Sequence, residues 1–202
     1  MRKKRILFCG EATYLNTGYA TYGREVLRRL HQTEKYELAE FASYGLLKDA
    51  ISAGTPWKFY QNMPDQSDKA QVDEYNSIPT NQFGEWRFEQ VLLDFKPDIV
   101  FDIRDFWMLD YQQRSPYRDL FHWVIMPTVD AAPQNEQWLS TFANADGVFN
   151  YSDWGHEVLE NESRGAIRCL GSAPPSANEA YKPVENKFKH KEMRVCSHRR
   201  RK

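Results

Sequence analysis

The chain has 202 residues, of which 41% are hydrophobic and 27% charged, a balance typical of one soluble globular α/β domain. No stretch approaches the roughly 18 consecutive apolar residues of a membrane span, and the apolar run at 6–9 is too short for a signal-peptide core. We therefore expect a cytoplasmic protein. The three cysteines are widely spaced and form no CxxC pair, which indicates neither a zinc site nor a disulfide framework.

The net charge of −1 conceals an uneven distribution. Residues 187–202 hold eight Lys or Arg and one acid, a net charge of +7, which leaves −8 for the rest of the chain. The sequence predicts a domain at 1–183 and a basic, disordered tail at 184–202, because so many charges cannot be buried cheaply. Nucleic-acid binding through this tail is one alternative function, but the acidic body would repel a polyanion.

Strand-like and helix-like segments alternate along the chain. The first apolar run, 5–9, ends at Gly10, and the pattern turns helical from Tyr19. Further strands are predicted at 36–44, 57–60, 98–102, 122–126, 147–151 and 166–170, and further helices at 86–95, 135–145 and 152–160. Residues 62–81 are polar and are predicted to form an irregular surface excursion. This alternation predicts α/β architecture with a single Rossmann-like, doubly wound and mainly parallel sheet.

The loop after the first strand holds the first candidate site residues, because ligands of open parallel sheets bind beyond the carboxyl ends of the strands. It ends in Asn16, Thr17 and Gly18, just before a helix whose free N–H groups and dipole favour an anion. The spacing Gly10-x7-Gly18-x4-Gly23 matches neither the dinucleotide fingerprint nor the P-loop, which disfavours a conventional NAD or ATP site. Plain turn geometry is the alternative explanation of Gly18.

Later loops add charged and hydroxyl-bearing candidates. Arg104 and Asp105 follow the fourth predicted strand, and Asp130 follows the fifth, where its carboxylate is placed to accept a hydrogen bond from a sugar hydroxyl. Helix capping or turn formation explains Asp130 equally well. Ser152 precedes the last predicted helix and, with Asp153 as the alternative, is placed to cap it.

Five short segments match a known enzyme family in order and spacing. They read RILFCG at 5–10 with NTGY at 16–19, KPDIVF at 96–101, VIMPTVDAAP at 124–133, ADGVFNYSDWG at 145–155, and LG at 170–171 through YKP at 181–183. Together they resemble the N-terminal domain of the GT-B glycosyltransferases of family 4. One departure is that many members place a histidine where this chain has Val129 and Asp130.

The resemblance implies transfer of a sugar, with retention, from a nucleotide-sugar co-substrate to an acceptor that is a glycan, a lipid or a small molecule. It implies no metal and no further cofactor. We expect Asp130 to be catalytic, and the expected substrate-binding residues are Asn16, Thr17, Gly18, Arg104, Asp105 and Ser152. Members hold the donor mostly in a second Rossmann domain, and this chain ends about where that domain would begin, so we expect the chain alone to be inactive. A non-catalytic module that binds a sugar, a nucleotide or a partner protein is the alternative.

Overall fold

Seven parallel strands form one sheet in the computed structural model, which describes residues 2–176. The strands are β1 (Lys4–Glu11), β2 (Tyr36–Ser43), β3 (Lys58–Gln61), β4 (Ile99–Asp102), β5 (His122–Ile125), β6 (Gly147–Asn150) and β7 (Cys169–Ser172). Their order across the sheet is β3-β2-β1-β4-β5-β6-β7, and every neighbouring pair is parallel. The predicted α/β class with a parallel Rossmann-like sheet is confirmed.

Helices connect the strands. They are α1 (Gly18–Gln32), α2 (Leu47–Ser52), α3 (Lys69–Ser77), α4 (Glu85–Phe95), α5 (Phe106–Leu109), α6 (Glu136–Ala143) and α7 (Asp153–Glu162), with 3-10 turns at Pro79–Phe83, Asp110–Arg114 and Arg118–Leu120. None of the helices within residues 2–176 combines the length and apolar character needed to cross a bilayer. The predicted domain boundary at 183 and the basic tail at 184–202 lie outside the described residues.

The prediction of an irregular excursion at 62–81 is wrong, because this segment contains α3 and a 3-10 turn. The carboxylate of Asp68 caps α3 by accepting hydrogen bonds from the first-turn N–H groups of Ala70 and Gln71. Tyr75 is the buried residue of this helix, and its ring packs edge-to-face on Trp86 at 5.9 Å. One buried ring in nine residues leaves too weak an apolar stripe to identify a helix from sequence.

The two faces of the sheet bury different sets of side chains, as alternation along parallel strands requires. Leu7 of β1 faces a large core that includes Trp123 and the apolar side of α4. Phe8 faces the other way, toward Leu27 and its neighbours on α1. The sheet therefore has helices on both faces, which is the doubly wound arrangement, and its carboxyl edge is left to the loops.

Asp98 joins the strand β4 to the beginning of β1. Its carboxylate accepts the backbone N–H of Arg5 at 2.8 Å and both terminal guanidinium nitrogens of Arg2, each at 2.8 Å. These bonds, led by the one from the Arg5 backbone, lower the pKa of Asp98 from 3.8 to about 2. A carboxyl with a lowered pKa in the folded state stabilises the protein above its ordinary pKa and loses this effect as the pH falls through the folded value.

As the pH falls from the ordinary pKa of 3.8 to the folded value of about 2, the wild-type protein loses the stability that the ionised Asp98 contributes. We expect the free energy of unfolding of Asp98→Asn to fall less over this pH range, because the variant has no carboxyl to protonate there. Urea unfolding of wild type and variant at a series of pH values from neutral to about 2 measures this difference. Asp73→Asn, which changes an exposed carboxyl on α3, is the matched control. A stability gap between wild type and Asp98→Asn that stays constant down to the lowest pH would contradict the assignment.

Candidate functional site

The strand order creates a crevice between β1 and β4. The chain runs outward from β1 to β3, returns to β4 beside β1, and then runs outward again to β7. At such a switch point the loops leave neighbouring strands in opposite directions, and ligands of open α/β sheets bind between them. All the predicted site residues follow β1, β4, β5 or β6, so their loops leave the sheet at this one carboxyl edge.

The hydroxyl of Tyr19, in the first turn of α1, joins three of these loops. It donates a hydrogen bond to Oδ1 of Asp105 at 2.6 Å, and it lies 2.8 Å from Oγ1 of Thr128, which therefore donates to it. Asp105 follows β4 and Thr128 follows β5. Burial, followed by the hydrogen bond to Asp105, raises the pKa of Tyr19, so the phenol stays protonated at neutral pH. Asp105 thus lies beside the beginning of α1, while Tyr19 and Thr128 are site residues that the sequence analysis missed.

The N-terminus of α1 is capped by Thr17. Its hydroxyl oxygen accepts the N–H of Ala20 at 3.2 Å, and its hydroxyl proton is donated to the carboxylate of Glu11. A carboxylate at this position interacts favourably with the positive end of the helix dipole. Glu11 therefore already satisfies part of the preference for an anion that the sequence predicted at this helix terminus.

A cavity of about 640 Å³ opens beside the same helix terminus. Its lining includes the exposed residues Asn16, Thr17 and Gly18, and Pro174 and Pro175 border it as well. Three of the predicted substrate-binding residues thus line a single concave surface, which is the geometry of a small-molecule site. Whether they bind a substrate stays a prediction.

Two further tyrosines pack at this edge. The rings of Tyr22 and Tyr151 meet edge-to-face at 5.4 Å, and the hydroxyl of Tyr22 donates to the carbonyl oxygen of Ala173 at 2.7 Å. The hydroxyl of Tyr151 is enclosed and has no hydrogen-bond partner among residues 2–176. Burial, followed by the proximity of Tyr19, raises the pKa of Tyr151. Neither tyrosine was a candidate from sequence, since both look like ordinary core residues there.

Arg104 lies in the interior and not in the cleft, although the sequence predicted a substrate contact. Its side chain is 1% exposed, its Nε donates to Oδ1 of Asp102 at 2.9 Å, and its Nη1 donates to the carbonyl oxygen of Phe83 at 2.6 Å. Gln112 and Trp123 also donate to the Asp102 carboxylate, each at 3.0 Å. Burial raises the pKa of Asp102, and the Arg104 guanidinium opposes this rise. Arg104 therefore neutralises a buried carboxylate below the cleft.

Asp130 and Ser152 differ in their surroundings. Asp130 is exposed in the loop after β5, and its carboxylate makes no hydrogen bond or ion pair within the described part of the chain. Ser152 accepts the N–H of Gly155 at 3.0 Å and caps α7, as the sequence predicted. The capping bond occupies Ser152 in the local structure, while the carboxylate of Asp130 is exposed in the loop after β5. The catalytic role of Asp130 and the substrate contact of Ser152 stay predictions.

Among residues 2–176, the cysteines and acidic side chains show no further reactive grouping. Cys9 is a buried free thiol, and burial raises its pKa well above the ordinary value. Between residues 2 and 176, no three His, Cys, Asp or Glu side chains cluster as a metal site requires. The carboxyl edge therefore presents hydroxyl, phenol, amide and carboxylate groups, together with the guanidinium of Arg29 in the cavity beside α1.

Neither a family model nor a curated protein matches this sequence. Among solved structures, the chain is similar to UDP-GlcNAc 2-epimerase from Methanocaldococcus jannaschii, with a TM-score of 0.51 and 14% identity over 85% of this chain and 45% of the epimerase. It is also similar to Arabidopsis thaliana UGT89C1 complexed with UDP, with a TM-score of 0.53 and 8% identity over 86% of this chain and 52% of the other. The chain spans about half the length of each structure. At these identities the similarity shows a shared Rossmann-like, GT-B-type fold and nothing beyond the fold.

Proposed function

We propose that this chain is the N-terminal, acceptor-side domain of a GT-B glycosyltransferase of family 4 type. The complete enzyme transfers a sugar from a nucleotide-sugar to a hydroxyl of the acceptor with retention. The observation that supports this most is the meeting of three loops at Tyr19, because it builds a polar cleft at the switch point of the sheet. The shared fold with a UDP-sugar epimerase and with a UDP-bound protein adds to it.

The charges at the cleft favour a neutral, hydroxylated acceptor. Glu11 is the last residue of β1, and Asp105 and Asp130 are carboxylates of the loops after β4 and β5. Arg104 is the basic residue of these loops, and it is buried in its pair with Asp102. Arg29 of α1 lines the cavity together with the carboxylate of Glu25. Carboxylates accept hydrogen bonds from sugar hydroxyls and repel phosphates, so the diphosphate of the donor belongs elsewhere.

Asp130 is assigned the catalytic contact on this proposal. Its exposed carboxylate accepts a hydrogen bond from the attacking hydroxyl of the acceptor and orients that oxygen toward the donor. Stabilising the departing nucleotide diphosphate is a strongly electrostatic task, and we assign it to a second Rossmann domain that closes over the cleft. Transfer by the 202-residue chain alone is therefore not expected.

Removing the Tyr19 hydroxyl tests the location of the cleft. We expect Tyr19→Phe to weaken binding of methyl glycosides by about 10-fold, because Asp105 and Thr128 lose the bond that holds their loops together. Ligand-observed NMR and calorimetric titration measure the affinities, and the same samples are checked for transfer products. Tyr36→Phe, in the first residue of β2 at the opposite edge of the sheet, is the control.

Three outcomes of this experiment would count against the proposal. Equal affinities for Tyr19→Phe and Tyr36→Phe would place the site elsewhere. Product formed by the wild-type chain alone, and lost in Asp130→Ala, would show that this chain is a complete enzyme. Binding of a protein partner, with no affinity for any sugar or nucleotide-sugar, would favour the non-catalytic module.

A further inference from the structure

A carboxylate is buried completely within β2. Glu40 is 0% exposed, and the residues on either side of it in the strand, Ala39 and Phe41, are buried apolar residues. Burial raises the pKa of Glu40, and the hydrogen bonds that it accepts from Trp57 and Thr13 oppose this rise. Taking a carboxylate out of water destabilises a fold unless its partners compensate for the lost hydration. The partners of Glu40 therefore indicate its role.

The carboxylate of Glu40 accepts three hydrogen bonds, and two of them come from Thr13. The backbone N–H of Thr13 donates to Oε1 at 2.7 Å, and its hydroxyl donates to Oε2 at 2.8 Å. The indole N–H of Trp57 donates to Oε2 at 2.7 Å. All three donors are uncharged groups. Thr13 is itself 2% exposed, so these bonds fix a buried point of the loop after β1.

Arg24 of α1 binds the same loop through its carbonyl groups. Its Nη1 donates to the carbonyl oxygen of Thr13 at 2.9 Å and lies 3.5 Å from that of Leu15. The N–H of Leu15 donates to the carbonyl oxygen of Ala12 at 2.9 Å, which closes a turn. Thr13 is thus bonded through its N–H, its hydroxyl and its carbonyl group, and it ties the loop to both β2 and α1.

The residues that follow this anchor line the cavity of about 640 Å³ beside α1. Asn16, Thr17 and Gly18 come three, four and five positions after Thr13, and all three are exposed. A ligand that binds an exposed loop has to order it, and this cost is smaller when the base of the loop is already held in place. Glu40 holds that base through Thr13.

We propose that Glu40 is a positioning residue of the acceptor site. Through Thr13 it fixes the loop after β1, so that Asn16, Thr17 and Gly18 line the cavity in the arrangement that binds a sugar. The proposal rests on the proposed function and adds a residue that the resemblance did not indicate. Glu40 acts through Thr13 and not by contact with the ligand, because it is fully buried and does not border the cavity.

Glu40→Gln keeps the size of the side chain and changes its hydrogen bonding. An NH₂ group replaces the oxygen that accepts from the indole N–H of Trp57, so two donors face each other. We expect the affinity for methyl α-glucoside to fall by about 10-fold, because the loop is released. Calorimetric titration measures this at a temperature where the variant is folded, so a loss of stability alone leaves the affinity unchanged. Glu37→Gln, at an exposed position of the same strand, is the matched control.

Removing the competing donor gives a rescue that a merely structural role would not produce. In Glu40→Gln/Trp57→Phe, the glutamine NH₂ donates to the hydroxyl oxygen of Thr13, while the amide oxygen accepts from the Thr13 N–H. We expect this double variant to bind methyl α-glucoside within about threefold of Trp57→Phe alone. Its thermal midpoint should stay below that of the wild type, since the packing of the indole is lost. Affinity that recovers without stability separates the position of the loop from the stability of the fold.

Amide hydrogen exchange gives a second readout that needs no ligand. In Glu40→Gln we expect the N–H groups of Thr13 and Leu15 to exchange at least about 10-fold faster, with exchange at Leu7 in the middle of β1 unchanged. Unchanged exchange at Thr13 and Leu15, or equal acceleration at Leu7, overturns the proposal.

The titrations distinguish this proposal from the proposed function. If Tyr19→Phe weakens the binding of methyl α-glucoside and Glu40→Gln does not, the proposal for Glu40 is overturned while the proposed function stands. If the wild type binds no methyl glycoside, the proposed function and the role of Glu40 in it both fail.

Discussion

Arg104→Met is expected to lower the free energy of unfolding by about 3–5 kcal/mol, the usual cost of removing one partner of a buried ion pair. Arg104 and Asp102 are 1% and 0% exposed. In the variant, Gln112 and Trp123 still donate hydrogen bonds to the carboxylate of Asp102. The positive charge that pairs with this carboxylate within residues 2–176 is lost. The substitution also removes the donor at 2.6 Å from the carbonyl oxygen of Phe83, which holds the turn Pro79–Phe83 against the core.

Equilibrium unfolding in urea or guanidinium chloride measures this loss. Arg28→Met is the control, because Arg28 makes an exposed ion pair with Glu25 on α1 and should change stability by no more than about 0.5 kcal/mol. The double variant Asp102→Leu/Arg104→Met should recover much of the loss, because it leaves no isolated charge in the core. If Arg104→Met lowers the free energy of unfolding no more than Arg28→Met does, the buried carboxylate of Asp102 does not depend on Arg104 for stability.

The interior position of Arg104 was not predictable from the sequence. An Arg-Asp pair directly after a strand is what a ligand-binding loop shows, and Asp105 does lie at the cleft. Arg104 and Asp105 are neighbours in the same loop, and what separates them is the distant residues that their side chains contact. Arg104 is held by Phe83, which is 21 positions away in a segment that looks like a loop in the sequence. A local pattern gives the position of such a residue along the chain but not the direction of its side chain.

The sheet and most helices were predictable for a physical reason. Strands buried between two helical layers are short continuous apolar runs, and this pattern is visible within four to eight residues.

The site was predictable only as a set of loops. Tyr19 meets Asp105 and Thr128 across 86 and 109 positions.

The glycine spacing that resembled no phosphate-binding motif has a packing explanation. The ring of Phe8 fills the space on one side of β1, and a Cβ atom added at Gly10 or Gly23 would come within 2.7 or 2.6 Å of it. A Cβ added at Gly18 would meet nothing within 4 Å. Two of the three glycines therefore let α1 approach the sheet closely around one aromatic ring, while Gly18 is free to lie at the cleft.

Gly23→Val is expected to lower the free energy of unfolding by about 2–3 kcal/mol, as overpacking of a dense core does. Phe8 is 1% exposed and borders Gly10 as well as Gly23, so its ring cannot move away from the new side chain without displacing β1 or α1. Gly18→Val is the matched control in the same helix, with an expected change within about 0.5 kcal/mol. Denaturant unfolding of both variants measures the difference.

A compensating substitution tests whether Phe8 is the cause. Combining Gly23→Val with Phe8→Leu returns volume to the space that the valine needs, so the double variant should be more stable than the sum of the two single losses predicts. The two residues are in contact, which is the condition for such a coupling. Strictly additive losses, or a Gly18→Val variant as unstable as Gly23→Val, would show that the helix–sheet distance is not set by the Phe8 ring.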